Sequence, residues 1–306
     1  MAHELESQAQ REWKWPVAAD LFLAGMGAGG YAAGILASYG GPDWEPVAKI
    51  GVTLGFPLLL LATFFLLMDL GVRTRALRVF LNPGTSWITR GSLIISGFMA
   101  LSFLHMILMV WPGHMPVDAP VLRLIGGINL ILSVLVMIYT GALLGASRAI
   151  AFWNTAMLPL LFLTSAFSTG LMAVVLLTPS SPVLSEVFAQ LARAIIYLLV
   201  FQSIVIAFYI QASHRTDESR ASASLLLKGR LAWGFWLGLV GAGLLAPLAL
   251  VINSVVQDGD LRLIRTACVL GLLGGLILRR LILAAGIRAP LRAAGIEFRF
   301  PPPVTP

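Results

Sequence analysis

Charge is scarce in this sequence. Only 11% of its 306 residues are Asp, Glu, Lys or Arg, against roughly 25% in a typical soluble domain. A chain of this size cannot cover a water-facing surface with so few. Cysteine is scarcer still. Cys268 is the only one, which excludes an internal disulfide, a cysteine-held iron–sulfur cluster and a structural zinc site. Histidine is short where a haem needs it. A membrane b-type haem takes two axial ligands, usually histidines of facing helices, and of His3, His105, His114 and His214 only His105 falls inside an apolar run. The period-2 alternation of a membrane β-barrel is also missing. The opening MAHELESQAQREWKW lacks the basic start, short apolar core and small-residue cleavage site of a removable signal peptide.

Apolar residues are abundant. They make up 58% of the sequence, and the mean hydropathy is +0.89. Runs of 18 or more residues recur along the whole length, each able to cross a hydrocarbon core about 30 Å thick. In lipid every backbone N–H and C=O must be paired within the segment, so such runs become helices. The expected class is an all-α integral membrane protein of one domain, 1–306. Eight spans are expected at about 16–39, 47–71, 88–111, 121–145, 155–177, 187–211, 229–253 and 262–284. Turn residues separate them, as in Gly40-Gly41-Pro42-Asp43, Asn82-Pro83-Gly84 and Trp111-Pro112-Gly113. Trp13, Trp15, Trp44, Trp87, Trp111 and Trp153 fall near span ends, where an aromatic belt sits. No internal repeat is evident.

An even number of spans puts both termini on one face, here called the terminal face. Sixteen of the 21 Lys and Arg lie on it; the others are Lys49, Arg123, Arg193, Arg262 and Arg265. The positive-inside rule predicts cytoplasmic termini. The net charge of +7 is accounted for by these loops and requires no nucleic-acid partner.

Ionisable groups inside a span are costly and tend to face a bundle interior or cavity. Asp20 lies in the first helix and Asp69 at the end of the second, both toward the terminal face. His105 lies nearer the far face in the third, and Glu186 and Arg193 near the far-face start of the sixth. Tyr139 stands in the fourth. Each also has an ordinary reading: Asp69 paired with Arg73 at the interface, Asp20 as a cap, Tyr139 and His105 as hydrogen-bonded core residues, Glu186 and Arg193 as solvated charges. Gly25, Gly27, Gly29, Gly30 and Gly34 crowd the first helix. Small residues at this spacing admit either a close helix or a flat ligand. They are not a dinucleotide fingerprint, since no strand precedes them. A secondary transporter and a purely structural membrane anchor are alternative functions for a protein with this pattern.

Several blocks in order resemble the NrfD/polysulfide reductase membrane-subunit family. They are Trp13-Lys14-Trp15-Pro16 with LFLAGMGAGG at 21–30, DLG at 69–71 with NPGTSW at 82–87, YTGALL at 139–144, FWNTAMLPLLFLTSAFSTG at 152–170 and RRLILAAG at 279–286. The resemblance covers nearly the whole sequence. It implies eight helices in two four-helix bundles, in the bacterial or archaeal cytoplasmic membrane. It implies a quinone-binding anchor (menaquinone or ubiquinone, with no haem and no iron–sulfur cluster in this chain). Such an anchor exchanges electrons with a four-cluster ferredoxin-like iron–sulfur subunit, and through it with a molybdopterin enzyme or multihaem cytochrome. Asp20 resembles the occupant of the family's helix 1 quinone ligand, there a histidine, and Val17 stands where the family has an asparagine. Tyr139 resembles the family's quinone-binding tyrosine. On this reading Asp20 and Tyr139 flank the quinone head group, Gly25 and Gly29 leave room for its ring, and Asp69, His105, Glu186 and Arg193 are candidates for a proton route.

Overall fold

The computed structural model describes residues 15–69, 87–110, 116–117, 119–147, 149–214, 216–257, 260–288, 291–293 and 296–298. The expected loop motif at 82–87, apart from Trp87, and the tails lie outside them. Among the described residues eight helices are long and apolar enough to cross a membrane. Six run in order: α1 (Trp15–Ala37), α2 (Glu45–Asp69), α3 (Trp87–Val110), α4 (Pro120–Gly145), α5 (Met157–Leu177) and α6 (Ser185–Ala212). A short helix, α7 (Asp217–Leu227), follows. The last two spans are α8, which runs as a π-helix over Gly234–Leu245 and as an α-helix over Ala246–Val256, and α9 (Leu261–Ala284). A two-stranded antiparallel hairpin, β1 (Leu291–Ala293) and β2 (Ile296–Phe298), comes after them.

The helices pack as two closed rings of four. In the first, α1 packs on α2, α2 on α3, α3 on α4, and α4 returns to α1. In the second, α5, α6, α8 and α9 close in the same way. The rings meet through their first helices, α1 against α5, and the last helix of each leans on the first helix of the other. The two halves therefore share one topology although no repeat is visible in the sequence. Burial follows from this arrangement. About three quarters of the spanning windows of α1 and α5 is buried (78% and 72%), against 22% for α3. Leu60, Phe64, Ile131, Phe208, Leu237 and Leu273 point outward. Lipid tails satisfy such a surface and water would not.

The α1–α5 crossing depends on missing side chains. A Cβ on Gly29 would collide with the Ala166 carbonyl, and one on Gly170 would collide with the Gly30 amide. Lipid supplies no hydrophobic drive between helices, so backbone-to-backbone packing of this kind is what holds them.

Two local features depart from the sequence reading. The seventh span begins at Gly234, later than the expected 229, because a turn follows α7. That short helix starts at a Thr216 N-cap, whose hydroxyl accepts from the Ser219 amide at 3.2 Å. The π-helical first half of α8 has no counterpart in the expected spans. Helices of this type are rare and usually one turn long, yet here the stretch covers 12 residues.

Candidate functional site

The site is built where α1, α3 and α4 approach the terminal face. Trp15 and Pro16 open α1, and proline suits a first turn because its missing N–H has no intrahelical partner anyway. Asp20 lies five residues past Trp15, and Tyr139 six residues before Gly145, the last of α4. By the helical rise both are roughly 7–9 Å inside the helix ends. They come from separate helices, and the Asp20 carboxylate lies within electrostatic reach of the Tyr139 hydroxyl. Asp20 is partly buried and Tyr139 is buried. Among the described residues the Asp20 carboxylate has no hydrogen-bond or ion-pair partner.

Gly91 of α3 makes the space that Tyr139 occupies, since a Cβ there would fall within the phenol ring. The next residues of α4 fix the same turn. Thr140 donates to the Met137 carbonyl at 3.1 Å, and a Cβ on Gly141 would meet Pro159 Cα of α5 at 2.6 Å. The Tyr-Thr-Gly triplet thus sets one ring against α3 and one bare backbone against α5.

Gly25 and Gly29 do not border open space. A Cβ at Gly25 would stand 3.1 Å from the Ala166 Cβ and 3.5 Å from Nη2 of Arg279. Gly29 faces the α5 backbone. The reading that these glycines leave room for a flat ring does not fit this packing, because α5 and Arg279 already fill the room.

The expected proton-route residues do not join either. His105 is buried in the first bundle, where Nδ1 and the Tyr31 hydroxyl share a hydrogen bond of 2.7 Å. Close by, Asn129 Nδ2 donates to Ser102 Oγ at 2.9 Å. Gly91, Phe98 and His105 recur every seven residues on α3 and so share one face. Phe98 is fully buried and packs edge-on against Tyr31 at 5.3 Å. An apolar layer at Phe98 therefore separates the Tyr31–His105 pair from the Tyr139 site. Glu186 and Arg193 line a different cavity at the far face of the second bundle. Asp69 is the last residue of α2, and its side chain lies outside the described residues.

Three further side chains hold places the sequence did not announce, and one of them, Trp153, was expected in the aromatic belt. Trp153 is buried and donates from Nε1 to the Ile282 carbonyl at 2.9 Å, tying the α4–α5 connection to α9. Tyr209 of α6 holds the same connection through the Phe152 carbonyl at 2.8 Å. Arg279 is 1% exposed, with its guanidinium 4.1 Å from the Phe162 ring centre and Nη2 donating to the Phe162 carbonyl at 3.3 Å. Its Nε and Nη1 have no hydrogen-bond partner among the described residues.

Comparison with known proteins fits this architecture. The sequence is 29% identical over 304 residues to protein NrfD of Escherichia coli, covering 90% of this protein and 94% of the relative. It is 28% identical over 282 residues to the C subunit of polysulfide reductase of Wolinella succinogenes, covering 81% and 84%. The model of the family described as polysulphide reductase, NrfD, matches residues 4–290. With nearly the whole sequence inside that match, this eight-helix membrane protein belongs to the NrfD/polysulphide reductase family.

Proposed function

We propose that this protein is the quinone-binding membrane anchor of a respiratory oxidoreductase complex, exchanging electrons between the quinone pool and an iron–sulfur partner subunit. One observation carries the reading. A carboxylate without a partner among the described residues and a buried phenol, from different helices, lie within electrostatic reach of each other. A quinone head group has two carbonyl oxygens to bind and, as quinol, two protons and two electrons to give up. The Tyr139 hydroxyl donates a hydrogen bond to one oxygen. The Asp20 carboxylate takes the two protons in turn, releasing the first toward the nearby terminal face before it accepts the second. The electrons pass to the iron–sulfur partner subunit.

The partner docks on the terminal face, next to the site. That face carries most of the basic residues, which supports a cytoplasmic position under the positive-inside rule. A single cysteine placed in the 82–87 loop, in a Cys268→Ser background, should label from the cytoplasmic side only.

The function is tested in the intact complex. Asp20→Asn and Tyr139→Phe each lower quinol oxidation by about 10²-fold, the usual worth of a positioned acid–base group. If both variants keep full turnover, the site is elsewhere.

A further inference from the structure

The outer face of α6 carries a polar stripe that lies away from Asp20 and Tyr139, in the second bundle. Glu186, Gln190, Arg193 and Tyr197 are spaced by four, three and four residues, so they share one side of the helix. All four are exposed. Gln190 donates to Glu186 at 3.3 Å. Arg193 has no hydrogen-bond or ion-pair partner among the described residues. It lies eight residues past Ser185, the first residue of α6, or about 12 Å into the span by the helical rise. An outward arginine at that depth is expensive in hydrocarbon unless a polar partner reaches it.

A cavity of about 540 Å³ opens beside this stripe, between the start of α6, the end of α8 and the start of α9. Glu186, Arg193, Ser181 and Ser185 give it a polar side, and Phe188 and Ile264 an apolar wall. The order of groups along the membrane normal is specific. The Glu186 carboxylate comes first from the far face. The Arg193 guanidinium follows two turns deeper, about 10 Å by the helical rise. Beyond it the surface becomes apolar at Val200, Phe201 and Ile204, all exposed.

Anion, cation, then apolar surface is the complement of ammonium, phosphate, then acyl chain. We propose that this cavity binds a zwitterionic aminophospholipid of the phosphatidylethanolamine type from the far-face leaflet. Its phosphate sits on Arg193 and its ammonium on Glu186, with the serine hydroxyls bridging and one acyl tail along α6. A guanidinium meets a phosphate with paired N–H donors. A primary ammonium donates hydrogen bonds to a carboxylate and a quaternary one cannot, which disfavours phosphatidylcholine. An anionic headgroup without an amine meets Glu186 as a like charge, which disfavours phosphatidylglycerol.

The test is native mass spectrometry of the full-length protein in detergent, supplemented with phosphatidylethanolamine, phosphatidylcholine or phosphatidylglycerol of matched acyl tails. Wild type retains one phosphatidylethanolamine in preference to the other two. Arg193→Leu lowers that retention by about tenfold, the scale of one charge-assisted contact, while Arg193→Lys keeps most of it. Glu186→Gln retains lipid but loses the preference over phosphatidylglycerol. Inorganic phosphate at millimolar concentration does not displace the lipid. Equal retention by Arg193→Leu, a wild-type preference for phosphatidylglycerol or phosphatidylcholine, or displacement by free phosphate overturns the proposal. So does a partner's transmembrane helix crosslinking to position 197 in place of lipid. An unfolded Arg193→Leu leaves the Glu186→Gln and Arg193→Lys results to decide.

Discussion

Tyr139 of α4 stands where the side chain of residue 91 on α3 would be, and only the absence of a Cβ at Gly91 lets the ring lie there. Gly91→Ala is therefore a positional test of the site that leaves every polar group in place. The added methyl drives the phenol out of its seat. Overpacking of this kind costs about 1–3 kcal/mol, and here it is relieved by moving the tyrosine. The expected result is a raised KM for quinol and a turnover close to that of Tyr139→Phe, with the complex still assembled. Steady-state quinol oxidation in purified complex, beside a gel of its subunits, decides it. Wild-type kinetics in Gly91→Ala would mean that Tyr139 has no fixed role.

The crossing of α1 and α5 yields a second prediction. Gly170→Val places three heavy atoms against the Gly29–Gly30 backbone, which no side-chain rotation can avoid. The bundles must separate there. Membrane insertion depends on hydropathy and is unchanged, but the folded state is lost. Expected results are normal levels in the membrane fraction, aggregation on detergent extraction and no assembled complex. Gly127→Ala, at a position with open space around it, is the control and behaves as wild type.

The spans and the membrane class were legible in the sequence, because apolar run length alone sets them. Two ordered blocks nominate Asp20 and Tyr139, whose role the substitutions proposed above test. The rest needed geometry. Gly25 and Gly29 announce a close approach, but spacing does not say whether a ligand or α5 makes it. Gly91 is one small residue in an apolar run, and nothing local marks it as the seat of a ring. The shared topology of the two bundles is visible only in which helices touch. The Thr216 cap was readable, since a threonine before Asp217 and Glu218 is a helix-start signal, and it locates the short helix and turn that delay the seventh span.

His105 and Tyr31 give a third prediction, which separates stability from chemistry. Their 2.7 Å bond is buried. Tyr31→Phe leaves the His105 Nδ1 without that partner, at a cost of about 1–3 kcal/mol, so the Tm in detergent falls. Quinol oxidation stays near wild type because Phe98 separates this pair from Asp20 and Tyr139. A His105→Leu variant that loses proton yield while keeping quinol turnover would instead make His105 part of a proton route.

Arg279 supplies the last prediction. It is a fully buried cation whose Nε and Nη1 have no hydrogen-bond partner among the described residues, held by one carbonyl and the face of Phe162. Replacing buried charge by an apolar side chain of similar volume is often neutral or stabilising by about 1–4 kcal/mol. Arg279→Met should therefore raise the Tm. Its guanidinium packs against Gly25 of α1, five residues on from Asp20, roughly 7–8 Å along that helix. Removing it should lower quinol turnover while stability rises. The two readouts together are diagnostic. A lower Tm with unchanged turnover makes Arg279 a packing residue of the α5–α9 contact. A higher Tm with lower turnover makes it a charge retained for the chemistry of the neighbouring bundle.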